Sequence, residues 1–305
     1  MIVGLVHLFI DNLLPVLLIA GAGVLVRRIL NVDPKPLSEV TFYVFMPSLV
    51  FSLLLSTQAD VLSLLKMVGF AATVILTMGA LGLMVGRFFG LRGRQAAGLL
   101  MVVMFMNAGN LGLAVTQFSF GDQALVWATV FFMTSSMMSN SLGVYIASVG
   151  RSSAREALAG LAKVPVIYAI VLALSLRELG WTVALPVMRA VDLAGGAAIP
   201  MMLVILGMQV ARIRLPASKR LLGVAVGLRL LLSPAVGLAL AALLGMTGPE
   251  RQAGVLEAAM PAAVLNTMLA VKFDVEPDFI AAAVLFGTVL SPLTLTPLIG
   301  YLGHF

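Results

Sequence analysis

The sequence predicts an all-α polytopic membrane protein, and three observations carry that expectation. Of the 305 residues 61% are apolar and only 10% charged, against roughly 45–50% and about 25% in soluble domains. Apolar stretches near the roughly 17–25 residues that cross a bilayer recur along the whole chain, which leaves no room for a separate soluble domain. Polar and helix-breaking residues also recur at a fixed spacing in the two halves, which predicts ten transmembrane helices arranged as a 5+5 inverted repeat.

In order, the expected spans fall at residues 12–30, 37–56, 62–89, 95–118 and 123–148, then 164–179, 187–211, 219–245, 251–273 and 278–303, the sixth being the shortest. Charges or turn residues bound each one, as in Asp33-Pro34-Lys35-Pro36, Arg92-Gly93-Arg94 and Thr247-Gly248-Pro249. The first is expected to be retained. Ala20-Gly21-Ala22 mimics a cleavage site, but Arg27 and Arg28 follow the apolar run instead of preceding it. The expected units are a first five-helix repeat, 1–150, a short cytoplasmic connection, 151–163, whose Arg155 and Glu156 suit an amphipathic surface helix, and an inverted second repeat, 164–305.

Fourteen of the 19 Lys and Arg residues lie on the side reached after the first span, among them Arg27, Arg87, Arg94, Arg151, Arg212 and Lys219. The positive-inside rule then puts both termini outside the cytoplasm, in a multi-pass protein of the cell membrane. Scattered basic clusters of this kind set topology and do not form a nucleic-acid patch.

An odd number of helices per repeat inserts the second copy upside down. At an offset of 156 residues Asn110 superposes on Asn266, Asp122 on Asp278 and Ser135 on Ser291, while Pro15 and Arg27 match Pro165 and Arg177 at an offset of 150. Such repeats are associated with secondary transporters that bind substrate near the midplane.

The polar residues at membrane depth are the candidate site. Asn107, Gly109, Asn110 and Gly112 interrupt the fourth span, and their glycines are expected to supply its break. In the ninth span Pro261 precedes Asn266 and deprives the Glu257 carbonyl of its helical donor. Two half-helix N-termini would then offer partial positive charge to an anion, with Asn110 and Asn266 flanking it. The other reading of these amides is interhelical glue worth roughly 0.6–2 kcal/mol.

Arg229 and Glu257 also lie inside spans and are expected to pair with each other or to face a wet cavity, because either would cost roughly 2.5–3.5 kcal/mol against lipid. Glu257 is a candidate proton or cation coupling site, with Arg229 as its counter-charge or as a carboxylate ligand. A structural ion pair, or Glu257 reaching toward Arg251, is the other reading of the two. The polar side of the fifth span, Ser135, Ser136, Ser139, Asn140 and Ser141, reads mainly as close helix packing.

No Cys is present, and the two His, His7 and His304, lie at opposite ends, so no metal site, cofactor or disulfide is expected. The 18 Met residues fit gap-filling in the core. No phosphate loop, zinc motif or nucleophile elbow occurs, so an enzyme is not expected.

Leu14-Pro15-Val16, Arg27-Arg28 and Phe42-Tyr43-Val44-Phe45-Met46-Pro47-Ser48 resemble the start of the auxin efflux carrier family. Asn107-Ala108-Gly109-Asn110-Leu111-Gly112, Ala259-Met260-Pro261 with Asn266, and Ser291-Pro292-Leu293-Thr294-Leu295-Thr296-Pro297 resemble its crossover regions and last helix. The resemblance implies a scaffold of helices 1, 2, 6 and 7 through which a homodimer could form, a transport part of helices 3–5 and 8–10, and broken, crossing helices 4 and 9. It also implies elevator-type transport of a small organic anion, auxin-like or malonate-like, with Pro261, Asn266 and Asn110 at the site and coupling to a proton or sodium gradient still open. Phe105 departs from the pattern, standing where the repeat would place a proline opposite Pro261. The long hydrophilic central loop of many plant members of the family is also missing, which points to a compact prokaryotic carrier.

Overall fold

The computed structural model describes residues 2–149, 164–210 and 219–304. The 151–163 connection, with Arg155 and Glu156, lies outside the described residues, as do Arg212 and Arg214. The described chain is helical throughout, and its one β element is an isolated antiparallel bridge.

Among the described residues six helices are long and apolar enough to cross a membrane: α1 (Gly4–Leu30), α2 (Pro34–Ser56), α3 (Val61–Phe88), α7 (Leu185–Val210), α8 (Lys219–Leu243) and α11 (Pro277–Leu302). The other four expected spans are shorter or interrupted. The fourth begins as α4 (Gly93–Met104), breaks, and resumes as a π-turn, Ala108–Leu113, that runs into α5 (Ala114–Met138). Within α5 the helix is broken by a kink at Gly121, whose φ of 74° suits a residue without Cβ. This kink falls between the fourth expected span and the fifth. The sixth is α6 (Pro165–Glu178), and the ninth is split into α9 (Gly248–Ala258) and α10 (Leu265–Phe273).

Proline explains much of the helix geometry. A proline inside a helix removes an N–H and clashes with the carbonyl four residues back. In α1, α2 and α8 a π-turn directly precedes it: Phe9–Leu13 before Pro15, Thr41–Phe45 before Pro47, and Leu228–Leu232 before Pro234. There the preceding N–H reaches back five residues, Leu14 to Phe9, Met46 to Thr41 and Ser233 to Leu228, so the ring fits without ending the helix. Helix α3 has no internal proline and runs uninterrupted from an N-cap at Asp60. The Asp60 carboxylate accepts from the Ser63 hydroxyl at 2.7 Å and the Ser63 amide at 2.9 Å, which holds its pKa below the usual carboxylate value.

Helices α1 and α7 pack closely, and α2 packs on α6 and α7. The α1–α7 contact depends on small residues, since a Cβ at Gly23 would strike the Val204 carbonyl and one at Gly207 the Ala20 carbonyl. Backbone cannot rotate aside as a side chain can. Gly207→Val is therefore expected to cost about 1–3 kcal/mol, seen as a lower thermal midpoint of detergent-purified protein. An unchanged midpoint would mean that the two helices separate freely. On the other side of the molecule α3, α4, α5, α8 and α9 pack around a core that includes Phe70, Phe105, Phe131 and Met101.

Candidate functional site

The two broken helices meet. Met106 and Ala262 form the antiparallel bridge, the Asn107 N–H donates to the Pro261 carbonyl at 2.7 Å, and the Ala263 N–H donates to the Phe105 carbonyl at 2.9 Å. All three pairings obey one rule: adding 156 to a residue of the first strand gives the residue that plays its part in the second. The offset read from Asn110 and Asn266 is thus the local two-fold relation of the crossing backbones.

The break in the fourth span differs in cause from the one expected. It falls at Phe105, which is extended (φ −103°, ψ 112°), ahead of the glycines. Phe105 needs no proline, because the crossing strand supplies a donor to its carbonyl. The glycines serve close approach. A Cβ at Gly109 would lie 2.6 Å from the Phe132 ring, and one at Gly112 would strike the Glu257 carboxylate. In the ninth span Pro261 does end α9, and the Glu257 carbonyl is taken up by the Met260 N–H at 3.2 Å.

Arg229 is 1% exposed and spans both breaks. Its Nε donates to the Met260 carbonyl at 2.9 Å, its Nη1 to the Val103 carbonyl at 2.8 Å, and its Nη2 to the Ala258 carbonyl, which also accepts from the Ser233 hydroxyl at 2.7 Å. The expected Arg229–Glu257 pair does not form. The Glu257 side chain leaves α9 on another side, where Oε1 accepts from the Thr116 hydroxyl at 3.3 Å and Oε2 has no partner. Glu257 is fully buried, and it joins none of the ion pairs among the described residues, Lys66–Glu250, Arg94–Asp274 and Arg177–Glu178.

Asn266 and Asn110 do not flank one site. The Asn266 Nδ2 donates to the Met101 carbonyl at 2.9 Å and to the Phe105 carbonyl at 3.2 Å, fastening α10 to the end of α4. Asn110, with Asn107 and Gly109, instead lines a cavity of about 100 Å³ beside the crossing. Its other walls are Met106, Phe132, Ser135, Ser136 and Ser139 and the start of α10, Ala263 to Leu265. Gly112, Pro261 and Asn266 are outside this lining. The serines, read from sequence mainly as packing residues, lie on the cavity wall because α5 turns its polar side to the crossing.

The cavity holds several unpartnered donors. The first bond of the π-turn runs from the Gly112 N–H to the Asn107 carbonyl at 3.0 Å, so the amides from Ala108 to Leu111 have no helical acceptor. The start of α10 lies on the same cavity, but there the Asn266 and Thr267 N–H groups are already taken by the Ala263 and Val264 carbonyls, at 3.1 and 2.9 Å. Asn107 is buried with its Nδ2 unpartnered, and the buried Ser139 hydroxyl is also unpartnered. Such an arrangement suits an anion. Among the described residues no cluster of His, Cys, Asp or Glu could hold a metal ion.

Sequence reasoning passed over Asp192, which accepts from the Ser52 hydroxyl at 2.6 Å and ties α7 to α2.

Known proteins have similar sequences. The chain is 28% identical over 267 residues, 86% of its own length and 87% of the relative's, to an uncharacterized transporter of Methanothermobacter thermautotrophicus. It is 24% identical over 268 residues, with the same shares covered, to an uncharacterized transporter of Methanocaldococcus jannaschii. These relatives are transporters, not enzymes. The family described as "Membrane transport protein" matches residues 8–155 and 148–299. Nearly the whole chain is covered, and the protein belongs to this family of multi-pass membrane transporters, the auxin efflux carriers that its motifs resemble.

Proposed function

We propose that this protein is a secondary carrier of a small organic anion, with a carboxylate bound in the crossover cavity. The observation that carries the reading is the convergence of the free amides at the start of the π-turn, the unpartnered Asn107 amide and the positive end of α10 on one small cavity. Each helix end contributes roughly half a positive charge, so the pair matches a single carboxylate. The cavity is smaller than the roughly 300–1,000 Å³ of drug-sized ligand sites, which suits a short carboxylate or the head of a longer one. Asn107, Gly109 and Asn110 contact it in this reading, while Gly112, Pro261 and Asn266 shape it.

Counting each broken helix as one crossing gives ten crossings in a 5+5 inverted repeat, with both termini outside the cytoplasm of the cell membrane. Helices α1, α2, α6 and α7 form the scaffold and a homodimer contact, and the rest moves against it as an elevator. Glu257, sealed from water beside the crossing, is the proton-coupling group.

Uptake of a panel of labelled carboxylates, including malonate, malate and indole-3-acetate, into proteoliposomes tests the reading. Saturable uptake with counterflow of at least one is expected, and Glu257→Gln is expected to flatten its pH dependence. Binding without uptake would make the protein a sensor, and flux without saturation a channel. A pH profile that Glu257→Gln leaves unchanged would remove the coupling role.

A further inference from the structure

We propose that Arg229 is a built-in cation, its guanidinium occupying the place between the carbonyl ends of α4 and α9 where a coupling sodium ion would sit, so that the carrier works without sodium. In inverted-repeat carriers, unwound carbonyls and half-helix C-terminal ends coordinate sodium, while half-helix N-termini face anionic substrate groups. Here the carbonyls of Val103, Ala258 and Met260 converge from two helices in a fully buried spot, a set of oxygen donors that would suit a hard cation. All three are taken by one guanidinium, and the Ser233 hydroxyl is also spent on Ala258.

The charges balance. Each C-terminal end carries roughly half a negative charge, and together they offset the single positive charge of Arg229. Glu257, the residue before Ala258, turns its carboxyl to Thr116 and does not compete for the guanidinium. Arginine stays protonated in proteins, and its planar fork reaches several oxygens at once. A tethered ion of this kind cannot leave, so the crossing is assembled before any solute binds. Nothing then remains for sodium to neutralise, and the positive N-terminal ends are left for the carboxylate.

The functional half rests on the carrier reading above, whereas the ion-binding half is testable without any transport substrate. Detergent-purified wild type is expected to show no saturable binding of ²²Na⁺ and the same thermal midpoint in sodium chloride as in N-methylglucamine chloride. Arg229→Met removes the charge and the fork. Its midpoint is expected to fall and then to recover by several degrees in sodium chloride but not in N-methylglucamine chloride. Arg229→Lys keeps the charge and should stay indifferent to sodium at a lowered midpoint.

Saturable sodium binding by wild type would overturn the proposal, as would an Arg229→Met midpoint that ignores sodium, since Arg229 would then be a structural cap only. If Arg229→Met does not fold, wild type and Arg229→Lys decide. Failure of every carboxylate in the uptake panel would remove the carrier reading and leave these sodium measurements standing.

Discussion

Gly112→Ala is expected to destabilise the protein and to abolish uptake, although it adds a single methyl group. In an ordinary helix the change would be favourable by about 1 kcal/mol. Here the new Cβ would strike the Glu257 carboxylate, in a spot closed by Thr116 and the buried end of α9. Overpacking of this kind costs about 3 kcal/mol at the upper end of its usual range, so the clash outweighs the gain in helix propensity by about 2 kcal/mol. The π-turn that carries the cavity amides would also shift. The check is a double-mutant cycle with Glu257→Ala, read as thermal midpoints in detergent. Removal of the carboxylate should restore part of the loss, with a coupling of at least ~1 kcal/mol. Additive effects would show that Gly112 and Glu257 do not touch.

Asn107→Leu is expected to have the opposite signature, with stability retained or raised and transport lost. Asn107 Nδ2 is buried without an acceptor, and replacing an unsatisfied buried polar group by an apolar one of similar shape is neutral or stabilising. A folding role therefore predicts no benefit from the amide. A binding role predicts that the substrate supplies the missing acceptor. Loss of a hydrogen bond to a charged group costs about 1.5–3 kcal/mol, roughly 10- to 150-fold in affinity. Thermal midpoints and substrate affinity measured on the same preparation decide between the two. A destabilised variant with unchanged affinity would return Asn107 to structure.

Much of the architecture was legible locally. Hydropathy placed the six long helices to within a few residues at most ends, because a span must be continuously apolar where it meets lipid. The first helix, which starts well before residue 12, was read short, since Asp11 and Asn12 interrupt its apolar run but not its hydrogen bonding. The pairing of the two breaks was legible too, through the 156-residue offset that proved to be the register of the Met106–Ala262 bridge. The position of the first break was not. Nothing in the local preference of Phe105 ends a helix, and the donor that satisfies its carbonyl comes from Ala263, far along the chain.

The sequence alone determined that this is a multi-pass membrane protein with a polar region at each of two paired helix breaks, since composition, spacing and proline chemistry act along the chain. Only the tertiary structure decided which polar residue meets which. Asn266 fastens helices while Asn107 and Asn110 face the cavity, and Arg229 caps two helix ends and leaves Glu257 without a cation. The physical reason is helix rotation. One residue along a helix turns a side chain by roughly 100°, and packing against distant helices fixes that angle.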